Sequence, residues 1–225
     1  MPIYTRKGDG GFAHRPGGRQ IRKTDPTFEA LGTVDELNAH IGWCIHAAES
    51  IANCELRIAK SSGPDETRCA PQSSGKGNSQ FAVRNSQLDV AAIRRILEAL
   101  LPVQDELLTI GPIMAAAGTD KDPGVSVDDT AVARMERQID AAWDSMPELT
   151  HFVAPRGSEL CCRLHIARTV CRRAERRVVA LADSGVELPP AVLKHLNRLS
   201  DLLFTLARLA DHAEGGRNHV WKPKS

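Results

Sequence analysis

Hydrophobic side chains recur at steps of three and four residues along most of this chain, which is the spacing of amphipathic helices. Five helices are predicted in this way: Thr27 to about Ala59, Ser86 to Ala117, Ser126 to about Met146, Ser158 to about Asp183, and Pro189 or Pro190 to Ala210. Pro102 and Pro112 lie within the second and predict a kink or a break there. No segment shows a convincing strand pattern. The predicted fold class is therefore all-α, a five-helix up-and-down bundle.

Two polar segments fall outside this pattern. Residues 1–25 contain a glycine-rich loop, and residues 61–80 are rich in Ser, Gly and Pro and lack any apolar period. The second segment is predicted to be a mobile insertion between the first two helices. The chain is thus expected to form a single domain over residues 1–225, with the loop at 1–25 preceding the bundle.

Composition narrows the class of protein. The chain has 225 residues, of which 42% are hydrophobic and 25% charged, and its net charge is +1. The balanced charge and an aromatic content of 4% argue against a nucleic-acid partner. No apolar run reaches the length of about 18 residues expected of a membrane span. Six cysteines without a CxxC pair, in a chain that opens with no signal peptide, indicate reduced thiols in the cytoplasm.

The fourth predicted helix carries the densest cluster of cations. Arg168, Arg172 and Arg176 follow one another at steps of four, and Glu175 shares their side of the helix. Arginine suits a phosphate partner because its planar guanidinium donates two parallel hydrogen bonds. The pattern indicates either a phosphate-binding face or a solvated surface with local Glu–Arg pairs, and the spacing does not decide between them.

The loop Thr5–Gly11 is a weaker candidate for the same chemistry. Its glycines allow backbone N–H groups to turn toward an anion, while Arg6, Lys7 and the later Lys23 add positive charge. The spacing is not that of a Walker phosphate-binding loop. A flexible tail is the alternative.

Two other residues are notable for their position. Asp35 lies close to the apolar stripe of the first helix, where a carboxylate either pairs with an arginine of another helix or faces solvent. Phe152 lies in the loop 151–158, where an aromatic ring either plugs the core or contacts a flat ligand. On general grounds the plug is favoured.

Five motifs in fixed order cover nearly the whole chain except residues 61–80 and the last few. They are TRKGDGG (Thr5–Gly11), ALGTVDELN (Ala30–Asn38), FVAPRG (Phe152–Gly157), RTVCRRAER (Arg168–Arg176) and LNRLSDLLFTLAR (Leu196–Arg208). Together they closely resemble the PduO-type ATP:cob(I)alamin adenosyltransferases. The resemblance implies a five-helix bundle that assembles as a homotrimer, with active sites between neighbouring subunits.

The implied reaction transfers the 5′-deoxyadenosyl group of ATP, accompanied by Mg²⁺, to the Co(I) centre of a reduced corrinoid. Its products are adenosylcobalamin and triphosphate. Cob(I)alamin is a strong nucleophile, so the reaction needs no general base, and cations stabilise the leaving group. A reductase and an adenosylcobalamin-dependent acceptor enzyme are the further partners suggested; neither a nucleic acid nor a membrane is expected.

The resemblance also assigns roles residue by residue. The residues expected to contact ATP are Thr5, Arg6, Lys7, Gly8, Asp9, Gly11, Ala13, His14, Lys23, Arg172, Arg173, Glu175, Arg176 and Asn197. Glu175 is also the expected carboxylate near the metal. Arg168 is expected to pair with Asp35 across a subunit boundary, and these two join Arg172 and Glu175 as the catalytic group. Phe152 is expected beneath the corrin ring, which replaces the plug interpretation.

The sequence departs from the family pattern at two positions. Lys7 stands where a threonine is usual, which places the hydroxyl contact of the loop in question. His195 stands where Phe or Tyr is usual, and we expect it to pack rather than to bind cobalt.

Three other classes of function are alternatives, one of them a structural scaffold on which the arginine face is fortuitous. A non-catalytic carrier of adenosylcobalamin or nucleotide on the same bundle is the main alternative. A di-iron carboxylate protein is disfavoured, because that fold needs Glu-x-x-His motifs on two helices. The sequence has one such spacing, Glu148–His151, and it follows the predicted end of the third helix.

Overall fold

A computed structural model describes residues 4–61 and 88–221. In this part of the chain the helices are α1 (Pro26–Ser61), α2 (Val90–Ala116), α3 (Asp129–Asp144), α4 (Glu159–Asp183) and α5 (Pro190–Ala213). These bounds confirm the five predicted helices and the all-α class. Ser61 ends α1, and the rest of the predicted insertion at 61–80 lies outside the described residues.

A short β-hairpin precedes the bundle. Strands β1 (Phe12–His14) and β2 (Gln20–Arg22) pair antiparallel, with Ala13 opposite Ile21. The expectation that residues 1–25 contain no strand is therefore wrong. Each strand is only three residues long, too short for an alternating pattern to stand out. Gly17 and Gly18, with φ of 91° and 82°, supply the backbone conformation that the connecting turn requires.

The fifth helix lies at the centre of the packing. It contacts α2, α3 and α4, while α1 packs against α2 and α4. Large side chains from four helices are fully buried between them, among them Leu37, Ile93, Leu164 and Leu196. Removing each such side chain from water contributes about 1.5–3 kcal/mol, so the apolar stripes supply the main stabilisation of the bundle.

Helix boundaries agree with the sequence except at α2 and α3. Ser158 caps α4 as predicted, because its Oγ accepts a hydrogen bond from the Cys161 N–H over 3.2 Å. The cap of α3 is Asp128 rather than Ser126, since the Asp128 carboxylate reaches the N–H of Thr130. Of the predicted kink or break in α2, the break is wrong, because α2 is a single helix that includes both of its prolines. The kink stays a prediction.

Two other expectations concern thiols and membranes. Cys44, Cys54, Cys161, Cys162 and Cys171 are free thiols, in keeping with the prediction of reduced cysteines. Cys69 lies outside the described residues. None of the helices within 4–61 and 88–221 combines the length and the apolarity needed to cross a membrane.

Candidate functional site

The arginine-bearing helix α4 has one buried side and one charged side, as the spacing predicts. Its buried side consists of Val170, Cys171, Ala174 and Val178, each at most 4% exposed. On the charged side Arg172 and Arg176 are exposed, whereas Arg168 and Glu175 are half-buried. The bundle therefore fixes the helix rotation that presents these four charged residues together.

The arginines of α4 divide into paired and unpaired groups. Arg173 forms an ion pair with Glu36 of α1. Arg177 lies 3.7 Å from a carboxylate oxygen of Glu29, which also belongs to α1. Among the side chains that the structure describes, no carboxylate lies within 4 Å of the guanidinium groups of the unpaired members. These are Arg168, Arg172 and Arg176. The glutamate partners of Arg173 and Arg177 thus belong to α1 and are not the local pairs of the solvated-surface alternative. The predicted anion-binding face remains open.

Arg168 is the least solvated of the three. Burial lowers the pKa of its guanidinium, and the neighbouring charge of Arg172 lowers it further. Its Nε is buried without a hydrogen-bond partner among the described residues, and its Cζ lies 6.0 Å from the centre of the Phe204 ring. Asp35 is exposed on α1 and is not paired with Arg168 inside one chain. Within the single chain, the solvent-facing alternative for Asp35 is the one observed.

A polar contact links the charged side of α4 to α5. Asn197 Nδ2 donates a hydrogen bond to Glu175 Oε1 over 2.9 Å. Asn197 also lines a groove of about 460 Å³ between α3 and α5, together with Lys194 and Arg198. The Asn197 amide and the guanidinium groups of Arg172 and Arg176 can donate hydrogen bonds to a polyphosphate anion, whereas the Glu175 carboxylate can only accept them.

The predicted triphosphate loop is a compact turn beside the hairpin. The Gly11 N–H donates to the Gly8 carbonyl over 3.2 Å, and the Lys23 N–H donates to the Gly11 carbonyl over 2.9 Å. A Cβ on Gly8 would lie 3.1 Å from Lys23 Nζ, so the lysine side chain packs over this glycine. The structure thus places Lys23 beside the loop, and its contact with triphosphate stays a prediction.

The remaining loop candidates lie around this turn. Ala13 is half-buried within β1, whereas the others are exposed: Thr5, Arg6, Lys7, Asp9, Gly11 and His14. Their polar groups are therefore accessible to a ligand. Their contact with ATP remains a prediction.

The hairpin is anchored to the end of α2. Arg15 Nε donates to the Ala115 carbonyl over 3.3 Å, and its terminal nitrogen donates to the Ala117 carbonyl. A cation at a helix C-terminus is favoured by the helix dipole and by the unpaired carbonyls there. Within the described residues, no hydrogen bond or ion pair joins the loop Thr5–Gly11 to Arg172 or its neighbours. In the part of one chain that the structure describes, the loop and the arginine face therefore have no direct polar contact.

Phe152 is 80% exposed, which excludes the plug alternative. Its loop pairs with the C-terminal segment: the Trp221 N–H donates to the Phe152 carbonyl over 2.7 Å, and Val153 forms a β-bridge with Val220. Trp221 is itself 55% exposed. The loop and the segment together present aromatic surface that a flat apolar ligand can cover.

His195 packs in the interior, as we expected. The residue is fully buried, and its Nε2 lies 2.8 Å from Glu106 Oε2. Glu106 also accepts two hydrogen bonds from Arg134, over 2.6 and 3.0 Å. This carboxylate therefore ties α2 to α3 and α5, and the position of His195 beside it argues against cobalt binding.

Several residues that support the candidate site from outside it were not predicted from the sequence. Arg15 anchors the hairpin, and Glu106 forms a hydrogen bond with His195. Asp211 and Asn218 form hydrogen bonds that hold the segments around Phe152. Charged residues at positions 208 and 211, inside the apolar pattern of α5, were the available signals of buried polar contacts. The other contacts join residues distant in sequence and have no local pattern.

Comparison with known proteins identifies relatives over almost the whole chain. A family model described as cobalamin adenosyltransferase matches residues 3–61 and 76–210. The corrinoid adenosyltransferase of Bacillus subtilis is 34% identical over 215 residues, covering 96% of this chain and 89% of that protein. Corrinoid adenosyltransferase PduO of Citrobacter freundii is 32% identical over 99% of this chain. The chain spans about half the length of that relative, 53%.

The fold is shared with solved structures. A variant PduO-type ATP:corrinoid adenosyltransferase from Lactobacillus reuteri, complexed with cobalamin and ATP, superposes with a TM-score of 0.74 and 25% identity, covering 99% of this chain and 100% of that one. A second variant from the same organism, complexed with ATP, has a TM-score of 0.72 at 25% identity, over 98% of this chain and 100% of that one.

Proposed function

Because the chain belongs to the cobalamin adenosyltransferase family, we propose that it transfers the 5′-deoxyadenosyl group of ATP to the Co(I) centre of a reduced corrinoid, releasing triphosphate. The observation that carries this proposal is the free pair Arg172 and Arg176 beside the Glu175–Asn197 hydrogen bond. Exposed guanidinium groups without a carboxylate partner are a fitting receptor for the phosphates of ATP.

The proposed nucleotide site is shared between subunits of a homotrimer. The loop Thr5–Gly11 with Lys23 would bind the triphosphate on one chain, and the arginine face would bind it from the next. Within the described residues of one chain, no hydrogen bond or ion pair joins these two halves, which supports this arrangement. Arg168 is half-buried and has no anionic partner among the described residues, and Asp35 is exposed, so the two are suited to pair across the same boundary.

Negative charge develops on the triphosphate as the C5′–O bond breaks and cobalt attacks C5′. Arg172 and Arg176 can stabilise this charge without rearranging, because α4 is held rigidly in the bundle. Asn197 restrains the Glu175 side chain through its 2.9 Å hydrogen bond. Glu175 is the one carboxylate among the predicted ATP contacts of α4, so this bond sets its rotamer. The protein acts by positioning, while the corrinoid supplies the nucleophile.

Magnesium fits this site as a companion of ATP rather than as a resident ion. Within the described residues, no group of three or more His, Cys, Asp or Glu side chains could hold a metal. Mg²⁺ commonly binds through substrate phosphates, water and one or two carboxylates. Glu175 is the residue proposed to contribute such a carboxylate, and the ion would supply charge neutralisation on the phosphates.

An anaerobic assay with ATP, Mg²⁺ and chemically reduced cob(I)alamin tests the proposal. Loss of the Co(I) absorption spectrum and appearance of light-sensitive adenosylcobalamin, both dependent on ATP, are expected. Binding of both ligands without formation of a cobalt–carbon bond would favour the carrier function instead. In that case, replacement of Lys7 by Thr would be the first change tested for restored activity.

A further inference from the structure

A buried carboxylate connects the two segments that surround Phe152. Asp211 of α5 is 3% exposed. Its Oδ1 accepts a hydrogen bond from the Ser158 N–H over 3.3 Å, and its Oδ2 accepts one from the Asn218 N–H over 2.7 Å. Ser158 ends the loop that carries Phe152, and Asn218 belongs to the C-terminal segment that pairs with this loop. One side chain therefore fixes both segments to the bundle.

The packing around this carboxylate leaves no space for side chains on the adjoining backbone. A Cβ added at Gly157 or at Gly216 would collide with Asp211 Oδ1. The Gly216 N–H also donates to the Asp211 carbonyl over 2.7 Å. Glycine at both positions thus lets two backbone segments approach the same buried anion closely.

A buried arginine, Arg208, extends the hydrogen-bond network of Asp211 and Asn218. Asn218 Nδ2 donates to Asp211 Oδ2 over 3.1 Å, while Asn218 Oδ1 accepts from Arg208 Nε over 2.9 Å. Arg208 is 3% exposed, donates to the Pro147 carbonyl and stacks with its Cζ 4.5 Å from the centre of the Trp143 ring. The Asn218 amide therefore bridges a buried anion and a buried cation on consecutive turns of α5.

These contacts determine where Phe152 lies. Asn218 precedes the residues of the C-terminal segment that pair with the loop, namely Val220 with Val153 and Trp221 with Phe152. The Phe152 ring is 80% exposed, so its position depends on its backbone rather than on burial of the ring. Displacement of the segment at Asn218 would be transmitted directly to that backbone.

We propose that Asp211, acting through Asn218, is a positioning residue that holds Phe152 against the lower face of the corrin ring. The proposal rests on the proposed function and adds a requirement to it. When cob(II)alamin binds, the aromatic ring must exclude an axial ligand before an external one-electron donor reduces Co(II) to Co(I). Pre-reduced cob(I)alamin prefers four-coordination by itself, so it depends less on this placement.

The test compares Asp211→Ala and Asn218→Gly with Phe152→Ala as the reference. Asn218→Gly keeps the positive φ of 40° accessible and removes only the bridging amide. Asp140→Ala, an exposed carboxylate of α3, is the matched control. Two quantities are measured: the rate of adenosylation from cob(I)alamin, and the electron paramagnetic resonance signal of four-coordinate cob(II)alamin bound with ATP and Mg²⁺.

We expect both variants to keep a cob(I)alamin rate near that of the wild type. The four-coordinate Co(II) signal should fall roughly tenfold or more, because small displacements of a positioning group have effects of this size. Adding Phe152→Ala to Asp211→Ala should lower the signal no further than Phe152→Ala alone. Asp140→Ala should match the wild type in both measurements.

Three results would overturn the positioning role: an unchanged Co(II) signal, an equal loss in both measurements, or an additive loss in the double variant. If circular dichroism shows that Asp211→Ala is unfolded, Asn218→Gly decides the question. A wild-type protein that forms no adenosylcobalamin from cob(I)alamin and ATP would instead contradict the proposed function.

Discussion

Glu106 of α2 and His195 of α5 lie 2.8 Å apart, Oε2 to Nε2, inside the bundle. Burial acts to raise the pKa of the Glu106 carboxyl, but hydrogen bonds and positive charge from His195 and Arg134 outweigh it. The pKa therefore lies below its ordinary value of 4.5. A carboxyl with a lowered folded-state pKa stabilises the fold above its unfolded-state pKa and loses this contribution as the pH falls through the folded value.

Glu106→Gln should lower the free energy of unfolding by about 1–3 kcal/mol near neutral pH, the range for a lost hydrogen bond to a charged group. Urea denaturation at several pH values measures this. The difference between wild type and variant should shrink as the pH falls below 4.5. Glu98→Gln, an exposed change on the same helix, is the control. A difference that stays constant down to the acid limit would show that Glu106 does not act through its charge.

Arg172→Ala should reduce kcat/KM for ATP by about tenfold to a hundredfold, the equivalent of one charge-assisted hydrogen bond to phosphate. Initial rates against ATP concentration, with pre-reduced cob(I)alamin in excess, give this quantity. Arg172→Lys should recover only part of the loss, because an ammonium group cannot form the bidentate contact.

The matched control is Arg177→Ala, since Arg177 faces Glu29 within the same chain. It should leave the ATP dependence nearly unchanged. Equal effects at positions 172 and 177 would mean that the general charge of α4, rather than its unpaired arginines, matters for ATP.

The helices were predictable because one apolar stripe per helix is a local property of the sequence. The contacts that complete the candidate site are not local. The hydrogen bonds of Arg15 span about a hundred positions, from the hairpin to Ala115 and Ala117. The cap of α3 shows a smaller version of this limit: Ser126 and Asp128 both suit an N-cap by residue type, and backbone geometry selects Asp128.

The surroundings of Phe152 could not be predicted from the local sequence either. An isolated phenylalanine in a loop suggests a core contact, and only the family motif indicated an exposed one. Its pairing with the C-terminal segment and the buried Asp211 beside that segment follow from tertiary packing.

Arg15→Ala should raise KM for ATP several-fold with little change in kcat. Loss of the bonds to Ala115 and Ala117 frees the hairpin, so ATP must order the neighbouring loop on binding. Arg19→Ala, an exposed change in the same hairpin, serves as the control. Steady-state kinetics with varied ATP separates the two parameters. An unchanged KM would show that the anchor has no influence on the loop.

A final prediction concerns the sharing of the site between chains. Lys23 lies with the N-terminal loop, whereas Arg172 lies on the arginine face, and no hydrogen bond or ion pair joins these groups among the described residues of one chain. Lys23→Ala and Arg172→Ala should each lower activity when present in every subunit. In a mixed trimer that contains both variants, one interface combines the intact loop of one chain with the intact arginines of the next.

Co-expression of the two variants with different tags, followed by tandem purification, isolates such mixed assemblies. Their activity should approach about one third of the wild-type value, because one of three equivalent interfaces is intact. Remixed homotrimers that exchange no subunits are the control and should stay inactive. If mixed assemblies are no more active than the average of the parents, loop and arginines act within the same chain. Activity near one third of the wild-type value would also explain why Arg168 and Asp35 do not pair with each other inside one subunit.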